Sequence, residues 1–202
     1  MPRQPPVPAG AQDQVVSHAR LRPAVFLDRD GVLVVPEFRD GRSYAPRTLA
    51  SFAIYPEARA ALSALKDKGF LIVVVTNQPD IGNGKILSTV VEKMHALMLD
   101  ELPIDKIEIC PHRQDEDCTC RKPRAGMLLR AAQECGIDLS KSYMVGDRAS
   151  DVEAGATAGC STIFIDLGYT AEKRPSQPDH VVRDVSDAAR IILANCELRG
   201  QA

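Results

Sequence analysis

The sequence predicts an α/β fold, a parallel sheet flanked by helices, on three observations. Short apolar runs alternate with segments of helical periodicity from Ala24 onward. The runs read as buried strands, and their alternation with helices implies a parallel sheet covered on both faces. No internal repeat of about 20–50 residues competes with this alternation. The expected arrangement is Rossmann-like, with chemistry at the carboxyl ends of the strands.

The elements follow in order. Strands are expected at Ala24–Leu27, Leu71–Val75, Lys106–Cys110, Tyr143–Val145 and Thr162–Ile165. The first helix is expected over Glu57–Lys68: Ala58, Ala61, Leu62 and Leu65 fall at i, i+3, i+4 and i+7, after Pro56 and before Gly69. Leu87, Val91, Met94, Met98 and Leu102 form a second helical stripe, with His95 expected on its polar face. Arg124–Cys135 and Asp151–Ala158 supply two more helices, and Asp184 can cap a helix around Ala188–Leu193. His180 falls in a Pro-containing linker.

Composition narrows the class further. The chain has 202 residues, 45% hydrophobic, enough for one substantial core. Residues 1–22 hold Pro2, Pro5, Pro6 and Pro8 without apolar periodicity and read as a flexible tail, leaving 23–202 as a single domain. A net charge of −2 disfavours nucleic acid as a partner. No apolar run approaches the roughly 20 residues of a membrane span, so no membrane partner is expected either. Of six cysteines, Cys110, Cys118 and Cys120 crowd around His112, a pattern for metal and a reducing cytoplasmic setting rather than for disulfides. Cys135 and Cys160 read as packed small residues and Cys196 as a surface thiol, and a monomer is expected.

The chemistry gathers after the strands. Asp28-Arg29-Asp30-Gly31 places two carboxylates two residues apart where the chain leaves the first strand. Asp28 can attack phosphorus, and Asp30 can protonate the leaving oxygen and later accept a proton from water. Thr76, Asn77 and Gln78 end the next strand in a hydroxyl and two amides suited to phosphate oxygens. Arg121 and Lys122 offer cations for a transferring phosphoryl group. Asp147, after the Tyr143–Val145 strand, is a hard oxygen ligand of the kind Mg²⁺ prefers. Cys110, His112, Cys118 and Cys120 offer three thiolates and an imidazole within eleven residues, a closed tetrahedral set for structural Zn²⁺ in loop 110–120.

In this order, Asp28-x-Asp30-Gly31, Thr76-Asn77, Lys122 and Gly146-Asp147-x-x-x-Asp151 resemble the four motifs of the haloacid dehalogenase superfamily. Phe26–Gly31, Val73–Gln78, Cys110-Pro111-His112, Cys118–Pro123 and Met144–Asp147 resemble one branch, which holds the D-glycero-D-manno-heptose 1,7-bisphosphate phosphatases and the related histidinol-phosphate phosphatases. The resemblance runs from about Ala24 to Tyr169. It implies a core without a large cap domain, and Mg²⁺ held by the Asp28 carboxylate, the Asp30 main-chain oxygen and Asp147. Asp28 would be the nucleophile and Asp30 the acid/base. Thr76, Asn77, Gln78, Arg121, Lys122 and Arg148 would meet substrate, and Asp151 would support the metal site from outside it.

The implied activity is a Mg²⁺-dependent phosphomonoester hydrolase of carbohydrate metabolism that acts on a small phosphorylated metabolite through an aspartyl phosphate. Heptose 1,7-bisphosphate is the leading substrate; histidinol phosphate and a catalytically weak, zinc-stabilised binding module are the alternatives. Two stretches depart from the heptose enzymes. Loop 79–85 lacks their usual Arg, and the flap 34–51 lacks their His-Gly-Tyr-like stretch.

Overall fold

The computed structural model describes residues 21–200; of the tail expected at 1–22, residues 1–20 lie outside them. Among the described residues the main sheet has six parallel strands in the order β5-β4-β1-β6-β7-β8. These are β1 (Ala24–Leu27), β4 (Leu71–Asn77), β5 (Lys106–Cys110), β6 (Tyr143–Gly146), β7 (Ser161–Ile165) and β8 (His180–Val182). A separate antiparallel hairpin joins β2 (Glu37–Arg39) to β3 (Arg42–Tyr44). The helices are α1 (Ala58–Asp67), the single turn α2 (Pro79–Gly82), α3 (Ser88–Glu101), α4 (Gly126–Cys135), α5 (Ala149–Ala158) and α6 (Val185–Gly200).

Strand alternation divides the core into two layers. Val25, Leu27, Ile72 and Val74 face α1, α6 and Met98 of α3, while Ala24, Phe26, Val73 and Val75 face α4 and α5. The central strands β1, β4 and β6 are buried on both faces, as their apolar runs require, while the edge strands β5 and β8 are only partly covered. β1 lies between β4 and β6, so the chain winds outward on either side of it. This places the turns after β1 and β6 side by side at the switch point of the sheet.

Several boundaries differ from expectation. β8 was not foreseen, and His180 opens it rather than lying in a linker. Arg22, expected in the tail, bridges Ile137 and donates its N–H to Gly136 O at 2.9 Å, so the fold already includes it. The last helix is longer than its apolar stripe suggested, although Asp184 does cap it: Asp187 N–H donates to Asp184 Oδ1 at 2.8 Å. Cys196 is half-buried against the α1–α6 layer rather than a fully exposed thiol.

Candidate functional site

Turns after β1, β4 and β6 converge on three carboxylates. Asp28, Asp147 and Asp151 are buried, with one oxygen of each within 4.8 Å of the others. Asp28 N–H donates to Val145 O at 2.9 Å, continuing the β1–β6 ladder and fixing where the first carboxylate leaves the sheet. Gly31 follows at φ +87°, and a Cβ there would overlap Asp147 Oδ2. Its requirement is therefore both backbone conformation and close approach.

Lys122 provides the positive charge inside this cluster. Its side chain is 1% exposed, and Nζ lies 2.9 Å from Asp28 Oδ1 and 2.7 Å from Asp151 Oδ1, and donates to Val75 O at 2.7 Å. Burial alone would lower its pKa, but Asp151 and Asp28 reverse this and raise it, so Lys122 stays charged. Lys122, together with an Arg148 guanidinium that is itself paired with Glu172, does not balance three buried acids. Burial first, then Asp28 and Asp151, push the Asp147 carboxyl well above the usual carboxylate range. Burial likewise raises Asp151 to about 6, with Lys122 opposing it. Asp147 Oδ1 is buried and has no hydrogen-bond partner. An orphaned acceptor within an under-neutralised carboxylate set fits a divalent cation, and the hard oxygens match Mg²⁺.

Asp30 is held differently. Arg29, fully buried, donates from Nε to Asp30 Oδ1 at 3.1 Å and from NH2 to Oδ2 at 3.0 Å. Gln78 Nε2 donates to Asp30 Oδ2 at 2.8 Å and to Thr76 Oγ1 at 2.9 Å. The Gln78 amide thus positions Asp30, a role its sequence neighbourhood did not suggest. Asn77 brackets the Lys122 backbone, donating to Lys122 O at 3.1 Å and accepting from its N–H at 3.1 Å. Thr76 is brought beside Gln78 but is buried away from the cavity wall. His95 is not on a free polar face: its Nε2 lies 3.3 Å from Arg29 NH1, and burial, then Arg29, lowers its pKa to about 4.

A cavity of about 460 Å³ opens over Asp28 and Asp30 and is lined on one side by Asn77, Arg121, Lys122 and Arg148. The more exposed Arg42, Arg47 and Lys85 form its outer lining with Asp80 and Glu172; Asp80 is paired with Arg47 Nε at 2.6 Å and Lys85 Nζ at 3.9 Å. Arg148 reaches the hairpin, where its NH2 donates to both Ser43 O and Ser43 Oγ at 2.7 Å. Arg121 NH1 is buried without a partner, as expected of a guanidinium whose anion arrives with the substrate.

The Cys/His cluster sits beside this cavity. Cys110 Sγ lies 3.7 Å from Cys118 Sγ and 3.5 Å from His112 Nδ1, and Cys120 Sγ lies 3.2 Å from His112 Nδ1. Tetrahedral Zn²⁺ with ordinary bond lengths would place sulfurs about 3.8 Å apart and sulfur and nitrogen about 3.6 Å apart. The four donors therefore fit zinc in number, type and spacing. Burial raises the Cys110 thiol to about 12, so a bound cation is what would bring it to thiolate. Gly82 N–H donates to Pro111 O at 3.0 Å and Asn83 Nδ2 to Gln114 Oε1 at 3.0 Å, tying loop 79–85 to this loop.

Sequence reasoning missed Arg29 as the partner of Asp30, and missed Tyr169, whose hydroxyl donates to Asp147 Oδ2 at 2.7 Å. For Arg29 a signal existed, a cation between two acids. For Tyr169 none did.

The family model for HAD-hydrolase-like proteins matches residues 119–188. The chain is 35% identical over 187 residues to a D-glycero-beta-D-manno-heptose-1,7-bisphosphate 7-phosphatase of Yersinia pestis, covering 85% of this chain and 96% of the relative. A Pasteurella multocida protein of the same name is 33% identical over 185 residues, covering 85% and 97%. Among solved structures, the D,D-heptose 1,7-bisphosphate phosphatase from B. bronchiseptica, complexed with magnesium and phosphate, superposes with a TM-score of 0.70 at 27% identity, over 86% of this chain and 99% of that one.

Proposed function

This chain belongs to the haloacid dehalogenase-like hydrolases, in the heptose bisphosphate phosphatase branch, and is a phosphatase; from that premise we propose that it hydrolyses the 7-phosphate of D-glycero-D-manno-heptose 1,7-bisphosphate with Mg²⁺. The observation that carries the reaction class is the cluster of Asp28, Asp147 and Asp151 around one buried lysine, with Asp147 Oδ1 left unpartnered. Asp28 and Asp147, with the Asp30 main-chain oxygen, would hold the metal. Bound there, Mg²⁺ offsets the charge of phosphate and nucleophile.

The residues then act in two displacements. An Asp28 carboxylate oxygen attacks phosphorus as the bond from phosphorus to the sugar oxygen breaks, and Asp30 gives that oxygen a proton. Water next attacks the aspartyl phosphate while Asp30 takes its proton, the bond from phosphorus to Asp28 breaks, and inorganic phosphate leaves. Lys122 holds Asp28 Oδ1 throughout, and Arg121 binds phosphoryl oxygens. Asn77 keeps Lys122 in register through its backbone. Gln78 and Arg29 hold Asp30. Thr76 acts through Gln78, and Arg148 joins the substrate pocket to the hairpin.

Substrate choice rests on the relatives' names and on the outer cavity. Arg42, Arg47 and Lys85 there outnumber the lining acids Asp80 and Glu172, an excess that suits a second phosphate and disfavours the ammonium of histidinol phosphate. Cys110, His112, Cys118 and Cys120 would hold structural Zn²⁺, setting Arg121 and Lys122 directly after Cys120. Such thiols call for a reducing, cytoplasmic compartment; no helix among the described residues is long and apolar enough to cross a membrane. The test is turnover of heptose 1,7-bisphosphate, heptose 1-phosphate and histidinol phosphate, with and without Mg²⁺. Mg²⁺-dependent preference for the bisphosphate is expected; preference for histidinol phosphate would overturn the substrate assignment.

A further inference from the structure

The hairpin and the metal ligand Asp147 meet at one side chain. Tyr169 lies beyond β7, and its hydroxyl donates to Asp147 Oδ2 at 2.7 Å. The same oxygen packs against Gly31, where no side chain fits. Oδ2 is therefore committed, and the carboxylate is set with Oδ1 buried and unpartnered. On its other side the Tyr169 ring stacks on Phe38 of β2, with centroids 5.8 Å apart and planes at 21°. Phe38 is 57% exposed even with this stack in place, and the Tyr169 ring is the aromatic partner it packs on. Ala171 N–H donates to Gly41 O at 3.0 Å, fastening the hairpin turn to the segment that carries Tyr169. The opposite strand contributes Ser43, held by Arg148, which directly follows Asp147.

We propose that Tyr169 is a positioning residue that presents Asp147 to Mg²⁺, and that the β2–β3 hairpin, through Phe38, sets how tightly the metal is held. The inference rests on the Mg²⁺ reading of the acidic cluster. Its physical basis is that a ligating carboxylate binds best when its other oxygen is fixed by a hydrogen bond; losing such a partner typically weakens metal binding about 10–100-fold. The hairpin borders the cavity through Arg42, Ser43 and Tyr44, so whatever seats the hairpin also steadies the tyrosine. Metal affinity and occupancy of the outer cavity are then coupled, and by linkage each strengthens the other by the same factor.

The experiment is calorimetric titration of Mg²⁺ into the full chain without substrate, for wild type, Tyr169→Phe and Phe38→Ala. Tyr169→Phe should weaken Mg²⁺ binding about 10–100-fold, and Phe38→Ala should weaken it in the same direction by a smaller factor. In kinetics the Mg²⁺ concentration for half-maximal rate should rise while kcat at saturating Mg²⁺ stays near wild type, a split that general loss of structure does not produce. Metal-free melting temperatures report whether each variant is folded. Wild-type Mg²⁺ affinity in a folded Tyr169→Phe protein overturns the positioning role; an unchanged Phe38→Ala affinity overturns the hairpin coupling alone. Absence of Mg²⁺ binding in the wild type overturns the metal reading and this assignment together.

Discussion

Replacing Lys122 by Met tests the electrostatic account of the site, because it keeps an unbranched apolar stem of nearly the same length and removes the ammonium. Nζ donates to Val75 O at 2.7 Å and forms ion pairs with Asp28 Oδ1 at 2.9 Å and Asp151 Oδ1 at 2.7 Å. Breaking a buried pair by removing one partner costs about 3–5 kcal/mol. In a chain of this length each kcal/mol moves Tm by about 2–4 °C, so Lys122→Met should melt roughly 6–20 °C below wild type near neutral pH without metal. The deficit should depend on pH with a definite sign. Asp151 is raised to about 6 even with Lys122 beside it, and loses that attraction in the variant. For a carboxyl whose folded pKa is raised, stability is greatest below the unfolded value and is lost as pH rises through the folded one. The gap to wild type should therefore narrow as pH falls from about 8 to 5.5, and kcat should fall by about 10²-fold or more. Thermal melts at the two pH values, with phosphatase assays, read both effects. A folded variant with unchanged Tm at both pH values and near-wild-type kcat would refute the role assigned to Lys122.

Three further outcomes follow from other parts of the structure. Cys118→Ser should lose about one equivalent of zinc by metal analysis and melt below wild type, since it breaks a closed four-ligand set; wild-type melting in metal-free protein would remove the zinc assignment. His95, lowered to about 4 by burial and Arg29, should make the wild type lose stability as pH falls from about 6.5 toward 4, because the unfolded chain binds that proton first. Urea unfolding of His95→Gln should show a flatter pH dependence over this range. Asp80→Asn should free Arg47 and lower KM for the bisphosphate by about 5-fold or less, leaving KM unchanged for a substrate without a distal charge.

The parts of the fold legible in the sequence are those whose signal is local. β1, β4, β6 and β7 announce themselves as apolar runs, and α1 as a stripe of Ala58, Ala61, Leu62 and Leu65. The β2–β3 hairpin was illegible because Glu37-Phe38-Arg39 and Arg42-Ser43-Tyr44 are short and mostly polar, held by Arg148 and by the Tyr169 segment from far along the chain. β8 is a three-residue edge strand with Val181 exposed, too short to carry a period. In the site, the Asp28, Asp147 and Cys/His positions stand out as residue types in sequence motifs. The bonds that orient them do not: His95 meets Arg29 across 66 residues, and Tyr169 meets Asp147 across 22. Gln78 read as one more phosphate donor because its second role depends on where β4 places it relative to Asp30.

The central claim is that Asp28 carries the phosphoryl group and that Asp30 governs its entry and release. The most direct measurement is rapid-quench mass spectrometry of Asp30→Asn with an aryl phosphate in Mg²⁺. A good leaving group needs no protonation, so the first displacement should proceed, while hydrolysis without its general base should slow by about 10²–10⁴-fold. Phosphate should accumulate on Asp28 and be absent from Asp28→Asn. Phosphate on another residue, or steady turnover by a folded Asp28→Asn protein, would contradict the account.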